Sequence, residues 1–451
     1  MSETWSVDEH LADILAAVRP LEPIELPLLD AQGCVLVGDV TVPAALPPFD
    51  NSSMDGYAVR VVDTAGAGEE FPAVLTVVGD VAAGAAGELA VGPGQAARIM
   101  TGAPLPPGAE AVVPVEWTDS GTGSGRATSM AAHRDDPSGA SGEVRVHRPV
   151  EAGRHVRARG SDVPAGSLAL RGGTVLGPPQ IGLLAAIGCG TVLVRPRPRV
   201  VVLSTGSELV APGQPLGPGQ IHDSNSYVLT AAARAAGALA YRVGAVADDA
   251  ETLRATVEDQ LIRADVLVTS GGVSVGAYDV VKEALGADAS FRSAGGGDTP
   301  EGPGDVIRSG GVDFRRVAMQ PGKPQGFGVI GEERTPLLAL PGNPVSSYVS
   351  FELFVRPVIR TLMGCDPVHR PHVRARLAAD EPLTSPSGRR QYLRGSYLPP
   401  ADGETTGTVR PVGGAGSHLV AALARADALL VVPEDTTEVA PGTVLDVVPL
   451  G

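Results

Sequence analysis

The sequence predicts a multidomain chain in which a parallel-sheet αβ domain is flanked by regions built from short β-strands. Three observations carry this. The length of 451 residues is about three times a typical domain and exceeds what one hydrophobic core supports. Between about Arg195 and Gly364, buried-strand runs such as RVVVLSTG and DVLVTSGG alternate with helical runs such as YVLTAAARAAGA, the pattern of a parallel sheet with right-handed crossovers. On both sides, from Val35 to Val150 and from Arg370 onward, short β-rich runs are separated by Gly/Pro turns.

Taken in order, Ser6 and Glu9 form a capping box, and Leu11, Ile14, Leu15 and Val18 keep helical spacing until Pro20, which predicts an N-terminal helix. VLVGDVTV, FPAVLTVVGDV, QAARIM and EAVVPVE then read as strands of small barrels or sandwiches. The polar, Gly/Ser-rich stretch from Ser120 to Gly142 reads as a mobile loop. In the αβ region follow the strand YRVGAV, a helix with Leu253, Val257 and Leu261 four apart, and the segments DVVKEAL, RRVAMQ and PLLALPG. A long final helix starts with Asn343 as cap and Pro344 in its first turn, and presents Val345, Val349, Leu353 and Ile359 on one face. Pro357 is expected to kink it. Ser293 to Gly311 reads as an inserted flexible loop, and HVRARLAA, QYLRGSYL, ALLVVPED and VLDVVPL predict a C-terminal all-β domain.

Composition excludes several function classes. Lys+Arg 35 against Asp+Glu 51 leaves a net charge of −16, unsuited to coating a nucleic-acid backbone or an anionic membrane, so any anionic ligand must be met locally. Cys34, Cys189 and Cys365 lie far apart without a CxxC pair, which argues for a reducing, cytoplasmic setting without a thiolate zinc site. The eight histidines form no HxH or HxxxH set, so zinc and iron centres are not expected. The acidic start lacks a signal-peptide pattern, and the uncharged stretch from Gly172 to Val194 is broken by Pro178, Pro179 and Gln180, so no membrane span is predicted.

In an open parallel sheet, ligands lie beyond the carboxyl ends of the strands, so LSTGSEL, VTSGGVSVG and LALPGNP should share one rim. Gly271 and Gly272 let backbone approach a ligand, Ser270 and Ser274 add hydroxyls, and a helix start offers N–H groups to a phosphate. Tight turn chemistry without a ligand is the plain alternative for any one turn; three together favour a site. No Walker lysine or GxGxxG pattern is present. Asp223 and Asp279 open helices on that rim, as caps or as carboxylates for Mg²⁺. Lys323 is either a solvated loop lysine or a point charge for an oxyanion. In the β region, PPFDNSSMDGYAV with Asp55 and RIMTGAPLPPGA with Thr101 read equally as turns or as functional segments.

PPFDNSSMDGYAV, RIMTGAPLPPGAEAVVPVE, VVVLSTGSELV, GQIHDSN, VTSGGVSVGAYD, PGKP and LPGNPVSS, taken in this order, resemble the motifs of the bacterial molybdopterin molybdenumtransferase (MoeA) family, which is itself similar to the C-terminal domain of gephyrin. The resemblance covers nearly the whole chain. It implies an elongated subunit with a split N-terminal domain (1–45 and 150–178), an inserted β domain (46–149), an αβ domain (179–365) and a C-terminal β barrel (366–451), paired as a homodimer. It implies that adenylylated molybdopterin and molybdate become molybdenum cofactor and AMP with help from Mg²⁺, and it extends the partners to the adenylyltransferase of the same pathway and to apo-molybdoenzymes. Asp55 and Thr101 match functional residues of the inserted domain, and Asp223 and Asp279 match acidic residues around nucleotide and metal. Lys323, Pro341, Pro344, Ser346, Arg394 and Ser417 match the oxyanion side. Ser204, Thr205 and Gly206, the Ser270 to Ser274 turn and Asn343 complete the rim. Two positions depart from the family pattern: Gln180 stands where a glutamate is usual, and Gln320 where a lysine is usual. A tungstate-inserting homologue and a catalytically weakened molybdopterin-binding scaffold are the alternatives; the set Asp55, Asp279 and Lys323 favours an enzyme.

Overall fold

The computed structural model describes residues 4–84, 89–123, 125–130, 142–273, 280–286 and 311–451. The N-terminal helix, Val7–Ala16, carries the expected capping box: Ser6 Oγ accepts from Glu9 N at 3.1 Å, and the Glu9 carboxylate accepts from Ser6 N at 2.8 Å. Just before it, Thr4–Trp5 pairs in parallel with Arg316–Val317, so the chain start is an edge of the central sheet.

That sheet has seven strands in the order Thr4–Trp5, Gly311–Val317, Pro324–Ile330, Thr335–Leu340, Val266–Ser270, Arg199–Thr205, Leu239–Val246. The last four run parallel to one another. Alternation of side chains feeds two cores. Val200, Val202 and Val268 face Leu229, Val345, Val349, Phe354 and the N-terminal helix; Val201, Leu203 and Leu267 face Leu253, Val257, Val281 and Ala284.

The RRVAMQ segment behaves differently from a crossover strand. Gly311–Val317 and Pro324–Ile330 pair antiparallel, as do Pro324–Ile330 and Thr335–Leu340, because the links between them are far too short for the dozen or more residues a parallel crossover needs. Met319–Gln320 leaves the sheet and pairs in parallel with Arg390–Gln391. The final helix is also interrupted. Pro344–Ser350 and Arg356–Leu362 are α-helical, and one wide π turn, Phe351–Val355, separates them. Pro357 accounts for this, since it donates no N–H and its ring displaces the Leu353 carbonyl.

The five strands Arg390–Leu398, Gly407–Pro411, Val373–Leu377, Val444–Pro449 and Ala428–Val432 close on themselves as the C-terminal barrel. Gly395 lies where the interior is tightest: a Cβ there would sit 2.3 Å from Leu430 Cδ1. The inserted β region is a five-stranded sheet in the order Glu143–Val146, Ala73–Val81, Gln95–Ile99, Gly56–Val59, Ala111–Pro114. Another apolar cluster joins Ala31 to Val42 with Leu176 to Val194, including Leu184 of the helix Pro178–Ala186. Gln180 serves that helix start, accepting from Gly177 N at 3.2 Å. Most of the expected loop from Ser120 to Gly142, and residues 293–310 of the second, lie outside the described residues. Among the described residues no helix is long and apolar enough to cross a membrane.

His10 is 1% exposed, packs edge-on against Phe354 at 4.8 Å, and its Nδ1 has no hydrogen-bond partner among the described residues. Burial, assisted by the Arg315 guanidinium, pushes its pKa down to about 3. The folded-state value lies below that of an unfolded histidine, about 6.5, so the neutral ring's contribution is present above pH 6.5 and is lost as the pH falls towards 3. Denaturant unfolding from pH 7.5 to 5 should therefore cost the natural protein about 2 kcal/mol more stability than a His10→Leu variant. Equal losses would clear His10 of any part in acid sensitivity.

Candidate functional site

Three neighbouring parallel strands end at the same level, at Thr205, Ser270 and Leu340. Beyond them opens a cavity of about 830 Å³ lined by Thr205, Gly206, Asp223, Ser270, Gly271, Gly272, Lys323, Pro341, Asn343, Pro344, Ser346 and Ser417. Twelve sequence-predicted residues thus share one space. Two glycines make it possible. Gly271 has φ +102° and a Cβ there would lie 2.6 Å from the Thr205 carbonyl oxygen; Gly272 has φ +63° and would collide with Val281 Cγ2 at 2.4 Å. Only glycine combines these angles with that contact.

Asn225 and Asp223 hold the rim. Asn225 Nδ2 donates to Ser270 Oγ at 2.9 Å and to the Gly342 carbonyl at 2.6 Å, tying two turns to the helix Asn225–Ala235. Nothing in the sequence reading marked it except its place in the HDSN run. Asp223, 1% exposed, accepts from Ser204 Oγ at 3.0 Å, from Ser226 N at 3.1 Å and from Ser226 Oγ. It thus takes up one N–H of the first turn of that helix, whose N-cap residue is Ser224, and Ser204 stands behind the cavity as its partner. Ser270 Oγ is similarly engaged, with Ser347 Oγ at 3.2 Å. Asn343 is the N-cap of Pro344–Ser350 without a side-chain cap bond, which leaves its exposed amide to the cavity.

The barrel supplies another wall. Val345 N donates to the Ser417 carbonyl at 3.0 Å, docking the Gly413–His418 turn on the helix start. Arg394, which the family resemblance sets on the oxyanion side, is not among the residues brought to this cavity. Its guanidinium, 4% exposed, donates through Nη1 to the Gly416 carbonyl at 3.1 Å and through Nη2 to that of Gly414, while Nε has no partner among the described residues. Arg394 supports the turn that presents Ser417 and His418, the latter a cavity residue the sequence reading missed. Burial lowers the Arg394 pKa from its usual value.

Lys323 is half-buried on the cavity wall and has no carboxylate partner among the described residues. Gln320 lines the same wall. Asp55 and Thr101 meet in the inserted β region: one Asp55 oxygen accepts both Thr101 N at 2.7 Å and Thr101 Oγ1 at 2.9 Å. Both are exposed, and neither lines the cavity of its own chain. Ser274 and Asp279 lie outside the described residues. No group of three His, Cys, Asp or Glu side chains able to hold a metal gathers among the described residues.

A sheet with this rim and this barrel matches known families along its length. Residues 5–188 match the MoeA N-terminal region (domain I and II), residues 201–361 a probable molybdopterin-binding domain, and residues 375–450 the MoeA C-terminal region (domain IV). Molybdopterin molybdenumtransferase 2 of Mycobacterium tuberculosis is 46% identical over 442 residues, covering 98% of both chains. Molybdopterin molybdenumtransferase of Bacillus subtilis is 33% identical over 434 residues, covering 95% of this chain and 90% of the relative. The crystal structure of the molybdopterin biosynthesis MoeA protein from Pyrococcus horikosii superposes with TM-score 0.70 at 30% identity, covering all of both chains. The site thus sits in a domain of the molybdopterin-binding class. The chain belongs to the MoeA family.

Replacing Arg394 by alanine removes both bonds to the 414 and 416 carbonyls, a loss on the order of 1–3 kcal/mol. Amide exchange across residues 413–420 should then accelerate about tenfold or more, with Arg394→Lys only partly restoring protection. Unchanged exchange in Arg394→Ala would show that the turn stands without it.

Proposed function

We propose that this protein is a molybdopterin molybdotransferase: it takes adenylylated molybdopterin and molybdate and yields molybdenum cofactor and AMP. The observation that carries the reading is the cavity at the strand ends, walled by both αβ domain and barrel, in a chain 46% identical over its whole length to a named molybdenumtransferase. About 830 Å³ is in the range of pockets that enclose a sizeable organic ligand. In a chain of net charge −16, Lys323, without a carboxylate partner among the described residues, and the hydroxyls of Ser346 and Ser417 give anionic groups a local foothold. The Gly271–Gly272 backbone can lie directly against a phosphate.

Magnesium belongs to the proposal. Each oxygen of Asp223 already accepts a bond, but the exposed carboxylates of Glu208 and Asp248 line the same cavity. A hard cation needs only one or two carboxylates beside phosphate oxygens. Bound there, Mg²⁺ would screen the phosphoanhydride charge. Further parts of the proposal are a cytoplasmic setting, favoured by three cysteines that are all unpaired, and contacts with the adenylyltransferase and with recipient apo-enzymes. A homodimer completes it. Asp55 and Thr101 are joined to each other and exposed, yet absent from their own chain's cavity, as expected if they close the cavity of a second copy.

Purified protein given adenylylated molybdopterin, molybdate and Mg²⁺ should release AMP and form molybdenum cofactor together. Failure to produce either one would overturn the assignment. In an exchanged mixture of Asp55→Ala and Lys323→Ala chains, each inactive alone, half the dimers are mixed and carry one intact site, so about a quarter of natural activity should return. No recovery after demonstrated subunit exchange would rule out the shared site.

A further inference from the structure

Arg389 lies in the turn that enters the barrel strand Arg390–Leu398, beside the short strand Met319–Gln320, which pairs in parallel with Arg390–Gln391. Its Nη1 donates to Gln320 Oε1 at 3.4 Å. The neighbouring arginines have other duties: Arg390 is paired with Asp8 and Glu434, each at 2.8 Å, and Arg394 with turn carbonyls. Arg389, half-buried, has no carboxylate partner among the described residues. Gln320, its one hydrogen-bond partner among the described residues, lines the cavity together with Pro321, Gly322 and Lys323.

A guanidinium only donates, whereas a carboxamide has one accepting and one donating end. Arg389 therefore settles which way the Gln320 amide faces. With Oε1 turned to the guanidinium, the Nε2 donors have no acceptor among the described residues, and the residue that carries them lines the cavity. The guanidinium also brings an unneutralised positive charge to within one side chain of the cavity wall. We propose that Arg389 is a positioning residue for anion recognition: it orients Gln320 so that the amide N–H groups, together with the Lys323 ammonium, hold a tetrahedral oxyanion. This rests on reading the cavity as the site of a phosphorylated pterin and molybdate, whose oxyanion side the family resemblance already sets at Lys323, and it adds to that reading the residue that orients Gln320. Molybdate and a substrate phosphate share the chemistry, and separate probes tell them apart.

Calorimetric titration of the purified full-length protein with molybdate, inorganic phosphate and AMP at fixed ionic strength tests this, with melting temperatures measured alongside. Arg389→Gln should weaken binding of molybdate or of the two phosphate probes about tenfold, the share expected of a charge-assisted contact. Arg389→Lys should restore most of it, since lysine keeps a donor for Oε1 and the charge. Gln320→Glu should abolish binding, because a carboxylate would pair with Arg389 and face the anion with none of the donors; it should melt no lower than the natural protein. Losses for molybdate alone place molybdate in the subsite, and losses for phosphate and AMP place the substrate phosphate there. Unchanged affinity for all three probes in Arg389→Gln, undiminished binding in Gln320→Glu, or no binding of any probe by the natural protein would overturn the proposal. A natural protein that binds an oxyanion through Gln320 yet releases no AMP from adenylylated molybdopterin would leave the subsite standing and remove the catalytic assignment.

Discussion

The contact between the turn after strand Val266–Ser270 and its neighbours is the constraint on which the site depends. At Gly271 the chain passes so close to the Thr205 carbonyl that no side chain fits, and Gly342 approaches from the other side, where a Cβ would be 3.4 Å from Gly271 Cα. At these points the three strand ends approach one another backbone to backbone. That brings N–H groups and hydroxyls to one surface, and it leaves a cavity where larger residues would have filled the space. Asn225 then locks the arrangement by bonding two of the three turns at once. Asp223 locks it from behind, with Ser204 and Ser226 satisfying a carboxylate that would otherwise be buried and unpaired.

A second constraint joins the rim to the barrel. Met319–Gln320 abandons the central sheet for the barrel strand Arg390–Leu398, while Ser417 is fastened to the start of the final helix through Val345 N. Asp8 of the N-terminal helix adds a bidentate contact with Arg390, whose guanidinium holds the Asp8 carboxyl below its usual pKa. Cavity walls from two bodies are therefore set by backbone pairing and charge-assisted bonds, with little left to side-chain chance.

The rim turns were legible in the sequence because a long apolar β-run followed by Gly and Ser has few other meanings, and the cavity indeed gathers Thr205, Gly271, Gly272, Asn343 and Ser417. The capping box at Ser6 and Glu9 was legible for the same reason: its signal is local. What escaped depends on distant partners. That Arg394 bonds the Gly414 and Gly416 carbonyls, some twenty residues on, is not readable from its own segment. PQGFGVI, with two glycines and a proline, gives weak strand propensity, and only pairing on both edges makes it a strand. Asn225 looks like any residue of a helix start. Gln180 and Gln320, both departures from the family pattern, separate once placed: the first caps a helix, and the second faces the cavity.

A crystal structure of the protein with adenylylated molybdopterin tests the central claim most directly. The account predicts the ligand in the cavity at the strand ends, its phosphates against the Gly271–Gly272 backbone and its oxyanion side towards Lys323 and Ser417. Full occupancy elsewhere, for example in the cleft between the N-terminal helix and the barrel lined by Leu11, Arg370 and Tyr392, with the strand-end cavity holding only water, would contradict it.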